Sequence, residues 1–119
     1  MDNKTFDIKI RCYKFSLTVM KLINELDSKR IYNSILNQLL RSATSVGANM
    51  VEAQSASSKK DFIKYLDISL KSANETKYWL CLIRDGINTS RSEIEPILEE
   101  ANEISKIIAS SLLKLKNKK

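Results

Sequence analysis

Arg41, Ser45, Asn49 and Glu52 follow one another at spacings of four, four and three residues. On a helix that rhythm puts all four on one face, about 80° wide, so a guanidinium, a hydroxyl, an amide and a carboxylate share one polar seam. Glu75 is the second carboxylate the seam is expected to involve. Three kinds of chemistry fit. Arg41 holds a carboxylate or phosphate in its fork while Asn49 and Glu52 fix the geometry; or the face is simply solvated; or Arg41 pairs with Glu75 or Glu52 at a helix-helix or subunit boundary. We favour the third, a contact that sets register more than it adds stability.

Enzyme chemistry finds little support. The chain has no histidine, which excludes Ser-His-Asp and Cys-His nucleophilic systems and the Glu-x-x-His motif of di-iron bundles. Two glycines do not build a P-loop or a dinucleotide fingerprint. A general acid-base pair made of Glu52 and Glu75 has no nucleophile or metal-ligand set beside it. No catalytic residue, metal or cofactor is expected.

Charge points to acidic partners. The net charge is +6 and the pI about 9.4. Lys60, Lys64 and Lys71 fall on one face of a helix, and Lys114, Lys116, Lys118 and Lys119 make a basic C-terminal tail over 114–119. These lysines are the candidate nucleic-acid contacts, RNA or DNA, and phosphate binding of this kind is nonspecific in sequence. Two features weigh against it. Charge on a helix face usually serves solvation, and no aromatic residues interleave with these lysines as a single-strand platform requires. The acids of Glu93, Glu95, Glu99, Glu100 and Glu103 before the terminal lysines also suit a helix dipole.

The elements that must position these residues are helical throughout. Apolar residues recur at three-four spacing, and glycine and proline are scarce. We expect a single domain over 1–119: an all-α, antiparallel up-down-up-down four-helix bundle with helices near 7–26, 32–54, 59–85 and 92–116. The core stripes are Ile8, Cys12, Phe15, Val19, Leu22 and Leu26; Tyr32, Ile35, Leu39, Ala43, Val46, Met50 and Ala53; Phe62, Leu66, Ser69, Ala73, Thr76, Leu80 and Ile83; and Ile94, Ile97 or Leu98, Ala101, Ile104 or Ser105, Ile108, Ser111 or Leu112, and Leu115. Ser58 is the expected N-cap of the third helix and Gly86 its left-handed C-cap. Ser90 and Ser92 compete to cap the fourth, with Pro96 in its opening turn. Cys12 and Cys81 stand far apart without metal-ligand spacing, so two free thiols in a reducing compartment are expected. The N-terminus lacks the apolar run of a signal peptide and no segment reaches membrane-spanning length, so a cytoplasmic protein with no membrane partner is expected.

Two helices carry a second face. Tyr65, Ile68, Ser72, Glu75, Trp79 and Leu82 form a stripe about 100° from the third helix's core stripe. Leu40, Gly47 and Val51 lie beside that of the second. Mid-helix Gly47 costs roughly 0.5 to 1 kcal/mol relative to alanine, which another backbone crossing closely would explain. Gly47, Tyr65, Ile68, Ser72 and Trp79 are therefore the expected interface of a homo-oligomer. The alternative is that Trp79 and Tyr65 overhang the chain's own core.

"QLLRSATSVGANMVEA" followed by "KKDFIKYLDISLKSANETKYWL" resembles the four-helix-bundle proteins encoded in intervening sequences of bacterial 23S ribosomal RNA genes. Arg41, Ser45, Asn49 and Glu52 fall on one signature of that family, and Phe62, Leu66, Ser72 and Glu75 on a second. The chain differs from the commoner pattern at Ser42, at Met50 and Val51, and at Ala53. The resemblance implies a ring-shaped homopentamer without catalytic activity and with a role in binding nucleic acid. It is also similar to the accessory bundle protein of diversity-generating retroelements, which implies an alternative role as a protein-interaction scaffold or accessory subunit, for example for a reverse transcriptase.

Overall fold

The computed structural model describes residues 4–27, 33–86 and 91–117, with side chains from Ile8 to Leu26 in the first of these segments and throughout the other two. They form four helices: α1 (Lys4–Asp27), α2 (Asn33–Gln54), α3 (Lys59–Gly86) and α4 (Arg91–Asn117). Among the described residues there is no strand. Each helix packs against two neighbours, in the cyclic order α1, α2, α3, α4, and the backbones of the diagonal pairs stay apart. The result is a four-helix bundle about 50 Å long. Such a bundle buries one stripe per helix in a shared core.

The three-four stripes are that core. All six expected residues of α1 are buried. In α2 the stripe holds from Leu39 to Ala53, Ile35 is half-buried, and Leu36 and Ser42 join it. In α3 Phe62 is half-buried and Leu66 to Ile83 are buried. In α4 the alternatives resolve to Ile97, with Ile104 and Ser105 both buried and Leu112 rather than Ser111. Tyr32 and Ser90 lie outside the described residues.

The ends follow capping chemistry where it is visible. The Ser58 hydroxyl accepts a hydrogen bond from the Asp61 backbone N–H at 3.0 Å, satisfying one donor that the first turn of α3 leaves without an intrahelical partner. Gly86 does end α3, but its backbone lies outside the left-handed region, so the expected left-handed cap is corrected: the helix runs through the glycine. Pro96 is the sixth residue of α4, in its second turn and not its first. The hydrogen bond it cannot donate would have reached the Ser92 carbonyl, and Ser92 is exposed, so water can satisfy that oxygen.

Gly47 answers to its own chain. A Cβ built there would lie 3.4 Å from the Cβ of Cys12 and 3.6 Å from that residue's carbonyl carbon and oxygen. The crossing backbone that the sequence called for is α1. Cys12 itself is wholly buried, and desolvation pushes its thiol pKa up to about 12. Both cysteines are free.

Candidate functional site

The polar seam is built on the contact between α2 and α3, the most extensive of the four. Small residues let these helices approach closely. Ser42, Ala43, Ser69, Ser72, Ala73 and Thr76 are all buried there, and the hydroxyls find partners along the seam. The Ser69 hydroxyl donates to the Val46 carbonyl at 2.8 Å. Ser72 and Ser45 are hydrogen-bonded at 2.9 Å, as are Thr76 and Ser42. Thr76 also reaches the Ser72 carbonyl of its own helix at 2.7 Å. Satisfied in this way, buried hydroxyls cost little.

At the solvent edge of that contact stands the charged part. Arg41 Nη2 lies 3.2 Å from Glu75 Oε2, and the same oxygen accepts the Trp79 indole N–H at 3.1 Å. Arg41 also donates to Gln38 Oε1 at 2.6 Å. Of the two partners the sequence allowed Arg41, the structure has Glu75. Asn49 donates its amide to the Ser45 carbonyl at 2.9 Å and to the Ser45 hydroxyl at 3.0 Å. Glu52 is exposed, and its carboxylate has no hydrogen bond or ion pair to described residues. Two groups thus lie along the seam, Arg41 with Glu75 and Trp79, and Ser45 with Asn49 and Ser72, and Glu52 joins neither. With Glu75 engaged by Arg41 and Trp79, the two carboxylates do not form a paired site. Among the described residues no three His, Cys, Asp or Glu side chains gather as a metal site.

The lysines divide into three groups. Lys60, Lys64 and Lys71 are exposed on α3 without an ion-pair partner among the described residues. Two rings stand near them, though not as an interleaved series. Lys64 Nζ sits 5.1 Å from the centroid of the Tyr65 ring, a cation-π contact, and Tyr78, seven residues beyond Lys71, is 60% exposed on the same band. Tyr78 in turn meets Trp79 edge to face at 5.1 Å. Lys116 is paired with Asp67 at 3.3 Å, and Lys114 lines a cavity between the helix ends. Lys118 and Lys119 lie outside the described residues.

The candidate interface residues also separate. Tyr65 and Trp79 are half-buried against the chain's own core, Ser72 is buried in the seam, and Gly47 faces Cys12. Ile68 remains 37% exposed. The more exposed apolar surface is on α1, which sequence reasoning did not single out. Ile10, Tyr13, Leu17 and Met20 recur at spacings of three, four and three and are 40 to 66% exposed. At about 100° per residue they stand opposite the core stripe of the same helix. That spacing was the available signal. A second omission is the Arg11 guanidinium, whose Nε and Nη2 donate to the two oxygens of Glu100 at 2.9 and 2.6 Å, tying α1 to α4. The bond to Glu100, ahead of the opposing effect of burial, raises the Arg11 pKa.

A four-helix bundle carrying this seam matches known proteins over nearly its whole length. The family model of the 23S rRNA-intervening sequence protein matches residues 4–110. The chain belongs to that family. A solved structure of a protein of unknown function from the S23 ribosomal protein family of Bacteroides thetaiotaomicron is similar at 36% identity, covering 92% of this chain and 98% of that one, with a TM-score of 0.87. No curated protein matches. Of the residues on the two signatures, Arg41, Ser45, Asn49, Ser72 and Glu75 lie along the contact between α2 and α3, whereas Glu52 is exposed and Phe62 half-buried. Among its described residues no helix is long and apolar enough to cross a membrane.

Proposed function

We propose that this protein is a non-enzymatic, cytoplasmic nucleic-acid-binding bundle that acts as a homo-oligomer. The observation that carries the reading is the outer face of α3, where Lys60, Lys64 and Lys71 are exposed and have no ion-pair partner among the described residues, with Tyr65 beneath Lys64 and Tyr78 further along. Cations supply phosphate contacts and the exposed ring of Tyr78 supplies a stacking surface, the two ingredients of sequence-tolerant binding. The net charge of +6 draws such a partner in. The seam beneath fixes the face by holding α3 rigidly on α2. The hydrogen-bonded pairs 42 with 76, 45 with 72 and 46 with 69 descend along α3 as they ascend along α2, which supports an antiparallel up-down-up-down bundle.

Self-association multiplies the lysine face and converts weak contacts into avid ones. We assign one side of the copy-to-copy contact to the outward stripe of α1, the helix diagonal to α3, which leaves the lysine face open. A ring is the closed form of a head-to-tail contact, in keeping with the homopentamer that the family resemblance implies.

Fluorescence anisotropy with labelled single-stranded RNA and DNA across a salt series tests the binding. Affinity should fall steeply as salt rises, and reversal of Lys60, Lys64 and Lys71 to glutamate should abolish it. Absence of binding at low salt would refute the reading. A second reading, a protein-interaction scaffold, is favoured by the α1 stripe. It would stand if Leu17→Glu removed a protein partner while the wild-type chain neither bound nucleic acid nor scattered light as an oligomer.

A further inference from the structure

The four helices leave a cavity of about 510 Å³ at one end of the bundle, within the range of roughly 300 to 1,000 Å³ usual for small-molecule sites. Its apolar wall comes from three helices through Ile8, Met50, Phe62 and Leu66, and α4 adds Ile107 and Leu115. Its polar side comes almost entirely from α4. Lys106, Ser110 and Lys114 follow at intervals of four, so they stand in line along one edge of that helix. Neither lysine has an ion-pair partner among the described residues, and the hydroxyls of Ser110 and neighbouring Ser111 make no hydrogen bond to them. No carboxylate lines the cavity among those residues. The nearby Lys116 is already held by Asp67.

We propose that this cavity binds an amphipathic anion, a free fatty acid, with its alkyl chain among Ile8, Met50, Phe62 and Leu66 and its carboxylate on Lys106, Ser110 and Lys114. The chemistry of the walls decides the class. A ligand with polar atoms along its length would leave them unpaired against Phe62 and Leu66, which is unfavourable, so the polarity must sit at one end. Two unpaired cations with a hydroxyl between them set the sign of that end, and charge-assisted hydrogen bonds to a carboxylate are the strong kind. The proposal is independent of the nucleic-acid reading, because the lysines it uses are not those of the α3 face.

Calorimetric titration of the full chain with dodecanoate, decanoate and octanoate, each below its micelle concentration, tests it. Saturable uptake is expected, with affinity falling roughly tenfold for every two methylenes removed. The exposed double substitution Lys106→Glu with Lys114→Glu should weaken dodecanoate at least tenfold and leave neutral dodecanol nearly unchanged. No saturable uptake of dodecanoate, or equal affinity in the double variant, would overturn the proposal. So would binding confined to phosphatidylglycerol vesicles. Protection of Lys106 and Lys114 from acetylation in the ligand-free protein would mean that a second copy covers the site, and would overturn it too.

Discussion

The contact between α2 and α3 and the contact between α1 and α4 close the same bundle by opposite means. The first is the most extensive of the four and is lined by serine, alanine and threonine, whose hydroxyls are satisfied across the seam or by helix carbonyls. The second is the least extensive; it carries the Arg11–Glu100 pair, and among the described residues α1 offers Ile8 to the cavity near its start. Small side chains bring backbones together and lock register. Long ones hold helices apart and leave space. Arg41, Ser45, Ser72 and Glu75 of the two family signatures lie in the close contact, while Phe62 and Leu66 of the second signature line the proposed ligand cavity.

The difference should appear first in overpacking. Ala73→Leu inserts bulk into the close contact and should destabilise by about 3 kcal/mol or more, whereas Ser111→Leu, which points bulk into the cavity, should cost nothing or add stability of about 1 kcal/mol. Denaturant midpoints of the two variants measure this, and equal losses would erase the distinction. Gly47 offers a graded version. Leucine there should cost about 2 kcal/mol by pressing on Cys12, while alanine, whose Cβ would sit at an ordinary contact distance of 3.4 Å, should be tolerated and regain about 0.5 kcal/mol of helix propensity.

Next comes alkaline pH. An unfolded thiol ionises near pH 8.5, but buried Cys12 keeps its proton up to about pH 12. The folded state therefore binds more protons in that window, so stability should fall as pH rises from about 9, by up to roughly 1.4 kcal/mol per pH unit for this one group. Cys12→Ala should flatten that slope in urea titrations at pH 8, 9 and 10. The same burial predicts that iodoacetamide labels half-buried Cys81 before Cys12.

Single polar deletions should separate the two contacts by smaller amounts. Ser69→Ala removes a wholly buried hydrogen bond and should cost about 1 kcal/mol. Arg11→Ala breaks a pair whose side chains are about a third exposed, and should cost about 0.5 kcal/mol, less in high salt. Smallest is an acid effect at the exposed end of α3. The hydrogen bond from Arg84 holds the Asp85 carboxylate below its ordinary range. Its contribution is present above the unfolded value near pH 4 and is lost as pH falls through the folded one. Asp85→Asn should remove that portion of the acid titration.

Much of this was legible in the sequence because period and burial coincide. The stripes from Ile8 to Leu26 and from Leu66 to Ile83 are what helical spacing alone dictates, and Ser58 declared its cap. Arg41 was legible as half of an ion pair because it was set beside a core stripe with Glu75 and Glu52 in reach, and the packing of α3 on α2 chose Glu75. Gly47 announced a close crossing, but spacing does not say which backbone crosses, and α1 does. Arg11 and Glu100 stand eighty-nine residues apart, so no local pattern links them. The outward residues of α1 escaped because attention to the core stripe hides a second apolar rhythm on the opposite side. The cavity is a property of how four helix ends meet, and no single helix encodes it.

Native-state hydrogen exchange, resolved by helix, tests the central claim that the close contact is the rigid platform and the open one the yielding side. Backbone amides of α2 and α3 around Val46, Ser69 and Ala73 should exchange only through global unfolding, while those of α1 open at lower free energy. If α1 proves as protected as α3, or if α2 and α3 open first, the contrast between the two contacts does not hold.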